Sequence, residues 1–379
     1  MQIYSLSSNI NIKKELKKLG VDGGGVSILA SKAKHFTIYI KDLHVGGANI
    51  LKQDALSIGA DLAVPKGTVI ASTPKVDCIL IATKRELKIL SKKELAQPFG
   101  LKSVALELDK ILKITKPQKT EIMGVINAND DSFYGASRFK ASEAILKIEQ
   151  MIEDGADIID IGAVSSRPNA PKVSAKEELQ RIKPILKIIK EEKLHEYVKF
   201  SCDSYEPLVL SLALESGFSI VNDITGFSDD EVCKLTAEYK ARAIIMHMQG
   251  SPQTMQVKPN YENILHDISS FLEQRIQKVE SFGITDIVLD VGIGFGKTLH
   301  DNLMLIKHLD YFLALDKALL IGASRKSMID KISPSKAEER LGGTLALHIE
   351  AVKNGASMLR VHDVYEHAQA LKVLEALRA

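Results

Sequence analysis

Short apolar, β-branched runs alternate with amphipathic stretches over residues 121–379. A short apolar run predicts a buried strand, whereas apolar positions three and four apart predict a helix. The predicted strands cover 122–128, 156–163, 198–203, 219–225, 241–248, 286–291, 318–324 and 358–362. Eight β/α units in about 260 residues predict an α/β fold of the (β/α)8, or TIM, barrel type. A doubly wound open sheet is the alternative, although such sheets more often have five or six strands.

Helix signals follow these strands. Ser174 and Glu177 form a capping-box pattern at the start of a helix predicted over 174–192, and a final helix is predicted over 364–378. The polar, proline-bearing segment 116–120 precedes this regular region. Earlier residues predict short strands over 35–40, 61–64 and 77–82, with helices between them. We therefore expect a small α/β domain of unknown role over 1–117 and a barrel domain over 118–379.

Composition narrows the class of protein. The chain has 379 residues, of which 45% are hydrophobic and 26% charged, as in ordinary globular proteins. No apolar run approaches the roughly 20 residues that a membrane helix needs. The first residues do not form a secretory signal, so we expect a cytoplasmic protein without a membrane partner. Three widely spaced cysteines, Cys78, Cys202 and Cys233, indicate reduced thiols rather than disulfides or a zinc site.

Charge is divided unevenly along the chain. Residues 1–119 carry 20 Lys and Arg against 10 Asp and Glu, whereas residues 120–379 carry 30 against 38. A basic segment can bind nucleic acid, but this one has only four aromatic residues and no run of five like charges. We therefore expect a solvated, lysine-rich surface and no nucleic-acid partner.

Polar residues follow every predicted strand of the barrel. They are Asn127, Ser165-Ser166-Arg167, Asp203, Asn222-Asp223, His247, Asp290, Ser324-Arg325-Lys326 and Arg360-Val361-His362-Asp363. One such residue is usually a turn former or a helix cap. In a barrel, however, the carboxyl ends of all strands meet at one mouth, where active sites lie. The repeated pattern therefore predicts an active site.

These residues form two chemical sets. Asp203, Asn222, Asp290 and Lys326 suit the flat edge of a nitrogen heterocycle, because they can pair with ring N–H, amine and carbonyl groups. Arg167, Arg360 and His362 instead suit phosphate oxygens. The ligand that the two sets imply is a heterocycle carrying a phosphate group.

Three other features are weaker signals. Gly296-Lys297-Thr298 looks like the end of a P-loop, but Val291 stands where that motif needs glycine. Gly292, Gly294 and Gly296 are spaced for a loop that bends close to a flat ligand. His247 has no second histidine at metal-ligand spacing, which favours a packing or hydrogen-bonding role.

From about Glu121 onward the sequence resembles the dihydropteroate synthases of the pterin-binding barrel family. The segments that carry the resemblance are Met123-Gly124-Val125-Ile126-Asn127, Asp131-Ser132-Phe133, Gly155-Ala156-Asp157-Ile158-Ile159-Asp160-Ile161-Gly162, Ser165-Ser166-Arg167-Pro168, Asn222-Asp223, Met246-His247-Met248-Gln249-Gly250, Leu289-Asp290, Gly294-Phe295-Gly296-Lys297, Gly322-Ala323-Ser324-Arg325-Lys326-Ser327 and Arg360-Val361-His362-Asp363-Val364. The resemblance implies a transferase of folate biosynthesis. Such an enzyme joins 6-hydroxymethyl-7,8-dihydropterin pyrophosphate to p-aminobenzoate and releases pyrophosphate.

The resemblance also assigns roles by position. It implies a pterin site at Asp203, Asn222, Asp290 and Lys326, with Gly322 and Val361 also contacting substrate, and pyrophosphate near Ser166, Arg167, Arg360 and His362. It implies p-aminobenzoate, and its sulfonamide mimics, near Phe295, Lys326, Ser327, Asp131, Phe133, Arg167 and Pro168. The implied catalytic residues are Arg167, Lys326, Arg360 and His362. Mg²⁺ on the pyrophosphate would take Asn127 as its protein ligand, and a homodimer is the candidate assembly.

Some positions depart from the family pattern. Asn129, Val164 and Asn169 replace residues usual in the two loops that meet p-aminobenzoate, so their effect on that pocket is open. The main alternative function is a methyltransferase that binds methyltetrahydrofolate by a similar Asp, Asn and Asp set. The arginine, lysine and histidine after the last two strands suit pyrophosphate release and have no obvious purpose in methyl transfer. A folate-binding protein without activity is the third candidate.

Overall fold

The computed structural model describes residues 1, 3–4, 6, 10–128, 138–164, 173–250, 254–255 and 259–378, with the backbone alone at 138–142 and 378. The chain divides into two compact units, Met1–Ile114 and Thr115–Ala379. The sequence pattern put the boundary at 117, within the polar segment that follows the first unit. No helix among the described residues is long and apolar enough to cross a membrane.

The N-terminal unit is built on a small antiparallel sheet. Its strands are β1 (His35–His44), β2 (Asp61–Ala63) and β3 (Lys75–Thr83), in the spatial order β1-β3-β2. Its helices are α1 (Ile12–Lys18), α2 (Gly23–Ala33), α3 (Val45–Ile58), α4 (Lys84–Lys93) and α5 (Leu101–Lys113). Leu51, Leu80, Leu87 and Leu101 are fully buried in its core, so one face of the sheet is covered by helices.

The second unit contains the predicted barrel. Its strands are β4 (Glu121–Asn127), β5 (Ile158–Gly162), β6 (Lys199–Asp203), β7 (Ile220–Asp223), β8 (Arg242–Met246), β9 (Ile287–Asp290), β10 (Ala318–Ile321) and β11 (Met358–Val361). They pair in parallel and close into a barrel, with β11 beside β4. The TIM-barrel prediction is therefore confirmed, and the open-sheet alternative is wrong. Most strands are shorter than predicted, because residues at the ends of the predicted runs do not pair in the sheet.

Helices follow the barrel strands. They are α6 (Arg138–Glu153), α7 (Ala175–Glu191), α8 (Pro207–Glu215), α9 (Asp230–Glu238), α10 (Ile264–Ser281), α11 (Leu299–Lys307), α12 (Ser327–Ile332), α13 (Leu341–Lys353) and α14 (Val364–Arg378). Ser174 caps α7 by accepting from the amide of Glu177, as predicted. The Glu177 carboxylate accepts from Arg181 at 2.7 Å, an interaction the capping-box pattern did not predict.

An apolar layer fills the barrel interior below the predicted mouth. Its members come from seven strands and are Met123, Ile158, Ile220, Ile244, Val288, Leu320 and Met358. Side chains two residues further along a strand point to the same side. In five of the seven strands the next inward position is not an apolar side chain, and these positions are Asp160, Asn222, Asp290, Gly322 and Arg360. Val125 and Met246 remain apolar, so the layer is the floor of a mouth that is polar over most of its circumference.

Candidate active site

An ion-pair cluster forms the centre of the mouth. Arg360 on β11 donates from Nε to Asp160 Oδ2 at 2.6 Å and from Nη2 to Asp203 Oδ2 at 2.7 Å. Asn222 on β7 donates from Nδ2 to the same Asp160 oxygen at 3.2 Å. Side chains of four strands, β5, β6, β7 and β11, are thus joined by hydrogen bonds.

Asp160 is the site residue that sequence reasoning missed. Its side chain is fully buried, and its Oδ1 has no hydrogen-bond partner among the described residues. A buried carboxylate without a full set of partners is costly, so its retention points to a functional role. The signal was present in the sequence, because Asp160 is the one charged residue within the apolar strand β5.

The cluster also changes the picture of Arg360. The sequence grouped this arginine with the phosphate-binding residues, whereas the structure places its guanidinium between Asp160 and Asp203, the second of which belongs to the heterocycle set. Asp160 and Asp203 raise the pKa of Arg360 despite its burial, so it stays charged. Burial raises the pKa of Asp203. Arg360, which also pairs with Asp160, lowers it only in part.

Asp290 and Lys326 form the opposite wall. Asp290 Oδ1 accepts from the Gly292 amide at 2.7 Å, and burial raises the pKa of its carboxyl although Lys326 opposes the shift. Lys326 directly precedes α12 and donates to the carbonyl of Ile293, with Nζ 4.6 Å from the ring centre of Phe295. Desolvation lowers the pKa of the Lys326 ammonium to about 8. A charged donor therefore stands beside an acceptor in a poorly solvated pocket.

The glycine-rich loop after β9 packs closely against this wall. Gly292 and Gly294 have φ of +68° and +84°, a region that favours glycine. A Cβ on Gly292 would lie 1.9 Å from the carbonyl oxygen of His247, and one on Gly294 would lie 3.1 Å from Cδ of Lys326. The glycines thus let the loop approach neighbouring backbone and Lys326.

His362 lies at the end of β11 beside Ser324. Its Nδ1 is 2.9 Å from Ser324 Oγ, and its amide donates to the same hydroxyl at 3.3 Å. Burial, with Arg360 and Arg325 nearby, lowers the pKa of His362 to about 4. The sequence interpretation made His362 a positive phosphate ligand, whereas its lowered pKa favours the neutral ring, which can still donate one hydrogen bond. Arg325, to which no role had been assigned, pairs with Asp363.

The residues of the rejected P-loop pattern have structural partners. Lys297 is buried, with Nζ 3.1 Å from His247 Nδ1 and donating to the Phe295 carbonyl at 2.9 Å. Thr298 caps α11 together with Asp301. His247 also packs edge-on against Phe271, with ring centres 4.9 Å apart, which agrees with the packing role predicted for it. The P-loop reading remains excluded.

The remaining predicted site residues divide into two groups. Asn127 ends β4 half-buried, Gly322 is buried after β10, Val361 packs in the core and Ser327 is exposed at the start of α12. Asp131, Phe133, Ser166, Arg167 and Pro168, together with the altered residues Asn129 and Asn169, lie outside the described residues. Within the described part of the chain, no group of three or more His, Cys, Asp or Glu residues could hold a metal ion.

The opposite end of the barrel has a different kind of charge cluster. Arg242 pairs with Glu121 and Asp286 at 3.0 Å, and Lys199 lies 3.6 Å from Glu121. These residues stand at the amino-terminal ends of the strands, where charges in such barrels support stability rather than catalysis.

Fold and polar mouth together define a (β/α)8-barrel enzyme whose site lies at the carboxyl ends of the strands.

Comparison with known proteins identifies the family. Residues 123–362 match the family described as "Pterin binding enzyme". The bifunctional dihydropteroate synthase/dihydropteroate reductase of Helicobacter pylori is 42% identical over 97% of this chain and 96% of its own length. The dihydropteroate synthase of Haemophilus influenzae is 37% identical over 71% of this chain and 96% of its own. A crystal structure of the Yersinia pestis dihydropteroate synthase with a sulfonamide is 33% identical, with a TM-score of 0.64, covering 69% of this chain and 94% of its own.

The chain belongs to the pterin-binding enzymes and, among them, to the dihydropteroate synthases. The prediction of a transferase of folate biosynthesis on a TIM barrel is confirmed. The methyltransferase and the inactive binding protein are correspondingly set aside. The match to the Helicobacter relative extends into the N-terminal unit, whereas the match to the Haemophilus synthase spans about the length of the barrel unit.

Proposed function

We propose that the mouth of the barrel binds 6-hydroxymethyl-7,8-dihydropterin pyrophosphate and joins it to p-aminobenzoate. The observation that carries the assignment is the set of buried and half-buried polar side chains directly above the apolar floor, centred on the Arg360 cluster and Asp290. A mostly apolar cavity with a few convergent polar groups is the usual form of a small-molecule site.

The pterin ring matches the donors and acceptors in the mouth. Asp203 and Asp290 can accept from ring N–H and amine groups, because ionised carboxylates offer only acceptors. Asn222 has both an acceptor and a donor, and Lys326 can donate to a ring carbonyl. Bound substrate would take over the Lys326 hydrogen bond that Ile293 now accepts. We therefore assign pterin recognition to these four residues.

The chemistry requires little acid or base catalysis. The bond between the pterin methylene carbon and a pyrophosphate oxygen breaks, and the neutral aryl amine forms the new C–N bond and then loses a proton. Charge develops on the leaving group, so positively charged groups and hydrogen-bond donors near its oxygens lower the barrier. We assign this role to His362 and to the Arg360 N–H groups that Asp160 and Asp203 do not take, with Arg167 as a further donor.

Mg²⁺ is the cofactor we propose. Asn127 would hold it through its amide oxygen, which suits a hard cation that keeps several water and phosphate ligands. The site fits this use, since Asn127 ends β4 at the mouth and is half-buried. When bound, Mg²⁺ would offset the charge of the leaving pyrophosphate.

We place p-aminobenzoate beside the pterin, near Phe295, Lys326 and Ser327. The Lys326 ammonium lies 4.6 Å from the centre of the Phe295 ring, so a cation for the carboxylate and an aromatic ring for the benzene ring stand next to each other. The Yersinia relative holds a sulfonamide drug, so we expect sulfonamides to compete with p-aminobenzoate here. Noncompetitive inhibition would contradict this placement. A cytoplasmic location and a homodimer are further proposals, and light scattering of the purified protein tests the dimer.

The function is tested by a coupled assay of pyrophosphate release on the full chain. We expect release that depends on pterin pyrophosphate, p-aminobenzoate and Mg²⁺ together. Asp290→Asn is the informative variant, because it replaces an acceptor by an unmatched NH2 in a desolvated pocket at a cost of about 1–3 kcal/mol. Asp286→Asn, at the opposite end of the barrel, is its matched control. Equal loss of activity in both variants would contradict the assignment.

A second activity is proposed for the N-terminal unit. The Helicobacter relative, whose match extends into this unit, is named for a reductase activity as well as for the synthase. We propose that Met1–Ile114 supports the reduction of dihydropteroate by a reduced nicotinamide or flavin nucleotide. The nucleotide gives a hydride, which carries two electrons and one proton, and the second proton comes from solvent. Nucleotide oxidation by the full chain, lost when the chain begins at Gln118, would support the proposal. Oxidation at the same rate in both proteins, or in neither, would overturn it.

A further inference from the structure

Two buried histidines connect the loops that follow β10 and β11. His348 on α13 and His367 on α14 are 0% and 1% exposed, and neither belongs to the predicted site. His348 Nε2 accepts from the Ala323 amide at 3.0 Å, and its Nδ1 lies 2.9 Å from His367 Nε2. His367 Nδ1 in turn lies 2.6 Å from the carbonyl oxygen of Asp363.

The two ends of this chain of hydrogen bonds fix its protons. The Ala323 amide can only donate, so His348 Nε2 must carry a lone pair, and a neutral His348 carries its proton on Nδ1. That proton is donated to His367 Nε2, so His367 carries its own proton on Nδ1 and donates it to the Asp363 carbonyl. Only one arrangement of protons satisfies every group. Burial also lowers the pKa of both histidines, which keeps them neutral.

Helix α13 holds the loop after β10 at a second point. Thr344, one turn before His348, accepts from the Arg325 amide at 3.0 Å. The amides on both sides of Ser324 are therefore bound to the same helix. Arg325 has φ of +55°, which is strained for a residue with a side chain and needs such support. Ser324 Oγ meets His362 Nδ1 on the site side of this loop.

We propose that His348 and His367 are a positioning pair that fixes the loop carrying Ser324 and Lys326 relative to the strand end carrying His362. They touch no substrate in this account. Removing these hydrogen bonds would leave the Ala323 amide without its acceptor and let the two loops shift apart. The inference rests on the proposed roles of Lys326 and His362 in binding the pterin pyrophosphate. Displacement of a binding group by about 1 Å can cost up to about a hundredfold in rate.

The test uses the full chain with His348→Ala, His367→Ala and the double variant. We expect the dissociation constant for pterin pyrophosphate to rise about tenfold or more in each, and the double variant to be no worse than His348→Ala. His348→Gln, which can again accept from the Ala323 amide, should recover most of the affinity. Thr236→Ala removes a buried hydroxyl that donates to the Val232 carbonyl within α9, far from the proposed pair in the sequence, so it controls for lost stability.

Nitrogen-15 NMR of labelled histidines tests the pair without activity. The proposal predicts that both rings are neutral with the proton on Nδ1, and that the His367 signal moves in His348→Gln. An Nε2-protonated or charged His348 would overturn it. Additive losses in the double variant, or unchanged substrate affinity in folded His348→Ala, would overturn it as well. Wild-type protein without pyrophosphate release would instead count against the proposed function, whatever the NMR result.

Discussion

Replacing Asp160 by asparagine isolates the residue that holds the centre of the mouth together. Asp160 Oδ2 accepts from both Arg360 and Asn222, while its Oδ1 is buried without a partner among the described residues. An asparagine can keep its oxygen toward Arg360, but its NH2 group then occupies the Oδ1 position as an unsatisfied buried donor. The variant also loses the negative charge that pairs with Arg360.

The expected magnitude follows from these two losses. An unsatisfied buried donor costs about 1–3 kcal/mol, and a hydrogen bond to a charged group contributes about 1.5–3 kcal/mol. Arg360 and Asn222 can move to reduce part of this cost, but their movement also displaces the groups that contact the pterin. We therefore expect pterin pyrophosphate to bind about tenfold to a hundredfold more weakly, since 1.4 kcal/mol corresponds to a factor of ten.

Calorimetric titration with pterin pyrophosphate measures the effect, and Asp157→Asn is the matched control. Asp157 lies one residue before β5, where it accepts from the Ile122 amide at 2.9 Å and from Lys119 at 3.1 Å. Its substitution should lower the melting temperature without changing pterin affinity, because it lies at the opposite end of the barrel. Normal affinity in Asp160→Asn, or an equal loss in Asp157→Asn, would refute the reasoning.

Three further outcomes are expected. Pterin affinity should fall as the pH rises through about 8, where Lys326 loses its proton. Lys326→Met should bind pterin weakly at every pH and show no fall near pH 8. The same fall in this variant would argue against Lys326. A protein beginning at Gln118 should keep pyrophosphate release, because every residue assigned to the synthase site lies in the barrel unit. If this protein folds and binds pterin but is inactive, the synthase reaction needs the N-terminal unit. Glu94 is fully buried, and burial with Asp54 nearby raises its pKa from 4.5 to about 7. The folded unit thus holds this proton more tightly than the unfolded chain, so its free energy of unfolding should fall as the pH rises from about 4.5 to 7. Glu94→Gln should flatten this pH dependence, which chemical denaturation at several pH values measures.

The barrel was predictable because its signals are local. Each strand is a short apolar run, and the polar residue that ends it is next to it in the sequence. The sequence alone therefore predicts that Asp203, Asn222 and Asp290 lie at one mouth of the barrel. The ends of the strands were less accurate, since residues such as Ala156 continue an apolar run without pairing in the sheet.

The contacts that join distant residues could not be predicted in this way. Arg360 and Asp160 are 200 positions apart, and only the closed barrel brings them within 2.6 Å. An arginine at position 360 is as typical of a phosphate-binding residue as of a partner for buried carboxylates. His348 and His367 lie on different helices, and their pairing depends on how α13 and α14 pack against the strands. Periodicity indicates which face of a helix is buried but not which polar group it meets there.

A crystal structure of the full chain with 6-hydroxymethylpterin tests the central claim most directly. The account predicts that the ring lies above the apolar floor, with its nitrogen-bearing edge within about 3.2 Å of the Asp203, Asn222 and Asp290 side chains and a ring carbonyl at Lys326 Nζ. The Arg360 cluster should stay intact beside it. A pterin bound elsewhere in the chain, or bound in the mouth without contact to these side chains, would contradict the account.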